Sequence, residues 1–431
     1  MKQIQKLKTW KYFLIIKNQQ MKKFNLHGVI IAMSIIFSLA SCNKNQDKTI
    51  PSTVVPNKVT DEMISENGAN PDEASITQNI SATANEDRNF GSNNSHHYLY
   101  TESNESSSNK ILVYQINKNG SLQWSSSAIS GGAGTGTGLG SQGALALSAD
   151  HSWLFAVNAG SNSVSSFRVK KDGSLSLIAT KNTWGKVPVS VAVHGNMLYV
   201  LNHGSDNIHG FWIGNDGMLT DINNSTKPLS GSGVDAPQIS FTPDGNFLVV
   251  PEKATNIIGT FKMLSNGSPA NGIFNPSVGN TPYGFGFSRN YLVISNAEMG
   301  GSGAGSGTSY IVQSNGHLKD INGARPDYQS APCWVAITAY GRFAYMTNAA
   351  SNNISSYYIA PWGGLYLVES NAGVTGTGPV DIAVAENNYF VYALNSGTHN
   401  ISCFYRMFFG KLGSLGTMEN LPTPSTGLVT F

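Results

Sequence analysis

The stretch Val250-Pro251-Glu252-Lys253 sets a carboxylate and an ammonium side by side at the end of an apolar run, where similar runs elsewhere in the chain end in Asn. Glu298, two residues after Asn296, supplies a further acid, and Arg325 precedes Pro332-Cys333-Trp334. A positioned carboxylate can activate water as a general base, and nearby cations or amides can stabilise the oxyanion that the attack creates. Glu252 as base, with Lys253, Arg325 or Gln238 facing the developing charge, is the catalytic set these residue types allow. With Tyr283 and Trp334 as aromatic walls, such a site would take a small acidic or sugar-like ligand. Alternatively, Glu252 is a solvated turn residue or the ion-pair partner of Lys253.

The elements that must position these groups repeat along the chain. VNAGSNSVSSF, VLNHGSDNIHGF, MTNAASNNISSYY and ALNSGTHNISCF are variants of one strand-turn-strand unit. Asn158, Asn202, Asn296, Asn348 and Asn395 occupy one slot of that unit, with Glu102 and Glu252 as substitutes, and the seven positions lie 44 to 56 residues apart. Each unit parses into four short strands, with Lys171-Asp172-Gly173, Asn215-Asp216-Gly217 and Ser314-Asn315-Gly316 as tight hairpin turns that accept positive φ. Repeats of this length and strand content predict an all-β chain: a seven-bladed β-propeller of four-stranded antiparallel blades over residues 96–431. The first unit begins at its second strand, so the ring is expected to be closed by the C-terminal strand, Thr426 to Phe431. The recurrent Asn side chains are expected to bind local backbone in their turn.

In such a blade the loop entering the inner strand and the turn after the second strand share a rim. That rim would gather Gln142, Gln238, Tyr283, Trp334 and Asp381 from the first set of loops. Glu102, Asn158, Asn202, Glu252, Asn296, Asn348 and Asn395 come from the second set, with Glu298 beside them. All are candidate binding residues, because loops on a rigid scaffold commonly carry function.

Other chemistries find little purchase. The run Gly131 to Gly140 lacks both the Lys-Ser/Thr of a phosphate loop and GxGxxG spacing, so a flexible rim loop is expected there. No HExxH or comparable histidine spacing points to a metal, no GxSxG elbow is present, and no cofactor is implied. Cys333 and Cys403 lie in separate repeats and are expected to be buried thiols. Charged residues make up 12% of the chain, about half the usual share. Seven lysines and no acid fall within residues 1–41, which leaves the remainder mildly acidic and argues against nucleic acid as a partner.

Those first 41 residues have the order of a secretory signal: Lys22 and Lys23, an apolar run from Val29 to Leu39, then small residues, with residues 1–20 a possible upstream extension. The apolar run is shorter than the ~20 residues that a membrane span needs. Leu39-Ala40-Ser41-Cys42 resembles the lipobox of bacterial lipoproteins, which implies lipidation at Cys42. Residues 42–95 are polar and poor in aromatics, the composition of a disordered linker. The expected product is exported and held in the cell envelope by lipid on Cys42, at the periplasmic or outer-membrane surface, as a monomer.

Over residues 96–431 the chain resembles the seven-bladed lactonase family that includes bacterial 6-phosphogluconolactonases and carboxymuconate cyclases. The likeness rests on the recurring strand-Asn-turn-strand-Asp/Asn-Gly pattern, on Ala236-Pro237-Gln238-Ile239-Ser240-Phe241-Thr242-Pro243-Asp244-Gly245 and on Val250-Pro251-Glu252-Lys253. An exported branch is similar in its GLGSQGALALS, PEKATN and APCWVA segments. The resemblance implies hydrolysis of a small lactone. Enzymatic members place a His after the Pro matching Pro237 and an acid at Glu252; this chain keeps the acid and has Gln238 in place of the His. The alternative from another class is a non-catalytic propeller that binds a small ligand, glycan or protein partner at the envelope.

Overall fold

The computed structural model describes residues 97–431; the expected signal, Cys42 and the linker lie outside the described residues. Seven antiparallel sheets follow one another around a ring, each built from at least four strands running from an inner to an outer edge. Blade one shows how the ring closes. Its inner strand is Thr426–Thr430, its second is His97–Glu102, and Lys110–Ile116 and Leu122–Ile129 complete it. Leu99 pairs with Thr430 and Tyr100 with Val429, and Phe431 stacks on Tyr100 with ring centroids 5.8 Å apart.

The second and third strands of each blade are sandwiched between neighbouring sheets, so both of their faces are buried. Leu154 to Asn158 and Leu198 to Asn202 are buried at every residue. Such strands read as continuous apolar runs rather than alternating ones, because no face meets water. The outer strand Leu122–Ile129 of blade one is largely exposed and correspondingly carries Gln123, Ser125, Ser126 and Ser127. Between blades three and four, Val189, Tyr199, Leu201, Phe241, Leu248 and Phe261 form one of the buried clusters.

Two repeated contacts lock neighbouring blades. The hairpin turn of one blade accepts a hydrogen bond from a Tyr on its neighbour: Tyr100 Oη donates to Gly173 O (2.9 Å), Tyr199 Oη to Gly267 O (2.6 Å), and Tyr392 Oη to Gly120 O (2.9 Å). The last of these joins blade seven to blade one. On the other rim, Asn162, Asp206, Asn256 and Asn352 adopt left-handed φ of 48 to 56°. Their side chains accept backbone N–H bonds from Val187, Val234, Thr281 and Gly378 at the entrance to the next blade. Short Asn and Asp side chains tolerate this backbone region and cap nearby amides, so the turn and the interblade staple come from the same residue.

Candidate functional site at the channel mouth

The recurrent rim residues are buried and bonded, though not as the sequence predicts. Instead of mainly holding local backbone, most reach side chains five and seven residues on, across the turn. Asn158 Nδ2 donates to Ser163 Oγ (3.2 Å) and Ser165 Oγ (2.8 Å), and Asn395 Nδ2 to Asn400 Oδ1 (2.9 Å) and Ser402 Oγ (2.9 Å). Asn296 reaches Ser306 and Thr308, and Asn348 packs 2.7 Å from both Asn353 and Ser355. Asn202 keeps a backbone partner, Thr183 O, beside Asn207. The reason is steric: once two strands bury both faces, the third strand's hydroxyls are the nearest unsatisfied groups, and a buried amide must find partners. Glu102 takes the same slot in blade one, where Asn109 donates to it (3.0 Å) and burial pushes its carboxyl well above the usual range.

The glycine-rich run is also not a free loop. Its end, Gly140-Ser141-Gln142, precedes the inner strand of blade two yet touches blades four, five and six, so it crosses the channel mouth. Tyr283 Oη donates to Gly140 O (2.6 Å), Trp334 Nε1 to Ser141 O (2.8 Å), and the Gln142 N–H to Pro237 O (3.0 Å). Gln142 then pairs through its amide with the backbone of Val335, donating to its carbonyl (2.8 Å) and accepting from its N–H (3.1 Å). Gly284 makes the room: a Cβ there would overlap Gln142 Oε1 and the carbonyl of Cys333. Gln238 makes the same amide bridge between adjacent blades, to the N–H and C=O of Phe285 (2.7 and 3.0 Å). Asp381 in blade seven accepts from the N–H groups of its neighbour Ile382 and of Leu428 in blade one, and burial raises its carboxyl well above the usual range.

Beneath the crossing segment lies a charged cluster. Lys253 Nζ is 3.1 Å from Asp235 Oδ1, 3.3 Å from Gly140 O and 4.4 Å from the centre of the Tyr283 ring, and its side chain is only 3% exposed. Trp334 packs on Tyr283 at 5.2 Å. The same Asp235 oxygen lies 3.6 Å from His203 Nδ1, whose side chain is 32% exposed. Asp235 itself is held at φ +57°, a left-handed conformation in the loop that enters blade four.

The four expected catalytic residues therefore separate. Lys253 joins this cluster, whereas Glu252 turns to Ser230 and Thr255, accepting from the Ser230 N–H (3.0 Å), the Ser230 hydroxyl and Thr255 Oγ1 (2.8 Å). Gln238 is committed to Phe285. Arg325 sits in a two-residue strand outside the third strand of blade five, paired with Gly307. Glu298 caps Asn280, accepting from its N–H at 3.1 Å. Tyr283 and Trp334 line the cluster as expected. The sequence signal for the unforeseen partner was present: among the residues that follow the rim slot, only His203 and Lys253 are ionisable, while the others are Ser103, Ala159, Ala297, Ala349 and Ser396.

A family model described as Lactonase, 7-bladed beta-propeller, matches residues 87–235, through the third blade. Over those residues the chain is similar to the lactonase-type propeller. Structural likeness, as a seven-bladed fold, runs over the whole ring. A Bacteroides fragilis protein named for 6-phosphogluconolactonase has a TM-score of 0.64 at 19% identity, covering 80% of this chain and 100% of its own. The periplasmic gluconolactonase PpgL of Pseudomonas aeruginosa gives 0.64 at 21% identity, over 78% of this chain and 98% of its own. A Lactobacillus plantarum protein gives 0.65 at 18% identity, over 78% and 99%. At these identities the likeness is one of fold. No curated protein sequence matches the chain. Among the described residues no group of His, Cys, Asp and Glu could hold a metal ion, and Cys333 and Cys403 are buried. Among the described residues no helix is long and apolar enough to cross a membrane.

Proposed function

We propose that the protein hydrolyses a small lactone at the channel mouth and works in the cell envelope, exported and anchored through Cys42. The observation that carries the catalytic part is a half-buried imidazole and a nearly buried ammonium meeting on one oxygen of Asp235. His203 Nδ1 faces Asp235, which leaves Nε2 to take a proton from water as the water oxygen attacks the lactone carbonyl. Lys253 stabilises the oxyanion; the ring C–O bond then breaks and the leaving alkoxide recovers the proton from His203. Glu252, with both oxygens already bonded, ties Ser230 to the Thr255 turn in this scheme. For Lys253 to meet the substrate, the Gly140 carbonyl must give up its 3.3 Å contact. The periplasmic gluconolactonase among the structural relatives and the Leu39-Ala40-Ser41-Cys42 tetrad support the location.

Acid release from a panel of γ- and δ-lactones, sugar lactones included, tests the chemistry. The protein should hydrolyse at least one of them, with a loss of about 10²-fold or more in His203→Gln and Lys253→Met, the scale expected for a general base and an oxyanion donor. Equal rates in the parent and both variants would refute the assignment. The second reading, a non-catalytic platform for a ligand, glycan or protein, is favoured by the crossing segment, which covers the cluster; a panel with no substrate would select it.

A further inference from the structure

The rim opposite the candidate site is divided in composition. Its turns in blades two to four carry Asp150, Asp172, Asp216 and Asp244, whereas the corresponding turns of blades five to seven carry only one acid, Glu386. In their place stand Arg289 in blade five, Tyr340 and Trp362 in blade six, and Met407-Phe408-Phe409 followed by Lys411 in blade seven. Where other blades close this hairpin with Lys-Asp-Gly or Asn-Asp-Gly, blade seven presents three consecutive large apolar side chains. Met407, Phe408, Phe409 and Trp362 are each 40 to 43% exposed. Phe409 is held at φ +56°, a conformation that costs a bulky residue energy and that Asn or Gly would adopt freely, so folding alone does not call for it.

The position of this patch agrees with the course of the chain. His97 begins the second strand of blade one, and its end of the strand lies on this same rim, with Nδ1 4.0 Å from Glu386 of blade seven. The 96 residues before it, with the expected signal and Cys42, thus join the ring on the same rim as the aromatic turn, at the Glu386 turn of blade seven and on the side away from Lys253. We propose that the rim of blades six and seven is a membrane-facing surface, which inserts Met407, Phe408, Phe409 and Trp362 into the interface of a phospholipid bilayer while Arg289 meets lipid phosphates and Lys411, 3.2 Å from Glu369 of blade six, ties the aromatic turn to its neighbour. Aromatic and apolar side chains flanked by cations suit that interface, and burial of the apolar group combines with attraction to anionic headgroups. The candidate site then faces away from the membrane. The inference rests on the envelope reading only for the presence of a bilayer.

The test reconstitutes the full chain in vesicles of phosphatidylethanolamine and phosphatidylglycerol that contain a phospholipid with an acyl-chain diazirine, and maps photo-adducts by mass spectrometry. Adducts on the peptides around Phe408 and Trp362 should exceed those around Met299, 81% exposed on the opposite rim, by at least about fivefold, because interfacial groups sit roughly 5–10 Å into the headgroup and acyl boundary. A Met407→Ser, Phe408→Ser, Phe409→Ser variant should lose the adducts at Trp362 as well. Equal adducts on both rims, or adducts confined to residues before His97, would overturn the proposal. Protein-to-protein crosslinks through Phe408 in place of lipid adducts would assign the face to a second copy and overturn it equally. Lipid on Cys42, read from the same digests, reports on the anchor separately, so either idea can fail alone.

Discussion

Gln142→Ala should weaken the whole ring, although Gln142 stands on a loop. Its amide joins blade two to blade six by two buried bonds, 2.8 and 3.1 Å long, to the backbone of Val335. Truncation leaves that N–H and C=O without partners in a space lined by Trp334 and Cys333. An orphaned buried polar group costs about 1–3 kcal/mol, and a water entering the vacated volume would recover part of it, so the loss should be about 2–4 kcal/mol. Urea denaturation should show a lower midpoint at an unchanged slope. Gly284→Ala should do similar damage by a different route, since the new methyl would occupy the seat of Gln142 Oε1. The double variant should then cost clearly less than the sum of the two, because both changes remove one bridge. Hydrogen exchange at the Val335 amide and proteolysis within residues 131–141 should rise together in Gln142→Ala. A loss below about 0.5 kcal/mol, the level of an ordinary surface change, or strict additivity with Gly284→Ala, would refute the bridge as a structural tie.

Two further outcomes follow from buried polar groups between blades. Asp327 accepts from the Gln329 N–H (2.8 Å) and Ser355 Oγ (3.2 Å), yet burial pushes its carboxyl up to about 6. The unfolded chain loses that proton near 3.9, so between about pH 4 and 6 the folded state binds more protons and stability falls as pH rises, by up to about 3 kcal/mol, then levels off. Denaturation of the parent and Asp327→Asn at pH 4.5 and 7 should show this difference in slope; parallel profiles would sink it. Asn256, at φ +55°, accepts the Thr281 N–H at 2.6 Å. Asn256→Gly should lose roughly 1 kcal/mol for the hydrogen bond, and Asn256→Ala about 1–2 kcal/mol more for the left-handed backbone; the opposite order in urea midpoints would show that the staple is not set by backbone conformation.

The ring was legible because each blade must solve the same local problem. A strand pair buried on both faces needs an unbroken apolar run, and the turn beyond it needs a residue that tolerates positive φ. Val157-Asn158 through Asn162 satisfies both requirements, and so do Leu201-Asn202 through Asp206 and Thr347-Asn348 through Asn352. Closure could be read from the ends for the same reason: a first blade without its inner strand exposes a sheet edge, and Thr426 to Thr430 fits it. What each rim Asn binds was harder to foresee, because the partner lies on the next strand and depends on which hydroxyl the pleat turns inward.

The site itself was legible only in part, and Glu252 and Lys253 show why. Replacement of the expected Asn by Glu marks a position where something differs, but adjacent residues in a strand-to-turn segment point in different directions, so a conspicuous pair need not act as a pair. Glu252 is consumed by Thr255 of its own turn and by Ser230 on the segment that leaves blade three, whereas Lys253 faces the channel and meets Asp235, from the preceding loop, and Gly140, from across the ring. Comparison of the slot one residue on, where His203 and Lys253 stand among small residues, asks instead which side chains are directed at the mouth. That question can be answered from repeats alone, since equivalent positions in a propeller share a direction. The partners Asp235 and Gly140 cannot be found that way: Gly140 lies 113 residues from Lys253, and its approach depends on the seat that Gly284 leaves for Gln142. In a closed ring, chemistry at the axis is assembled from loops that no local pattern links.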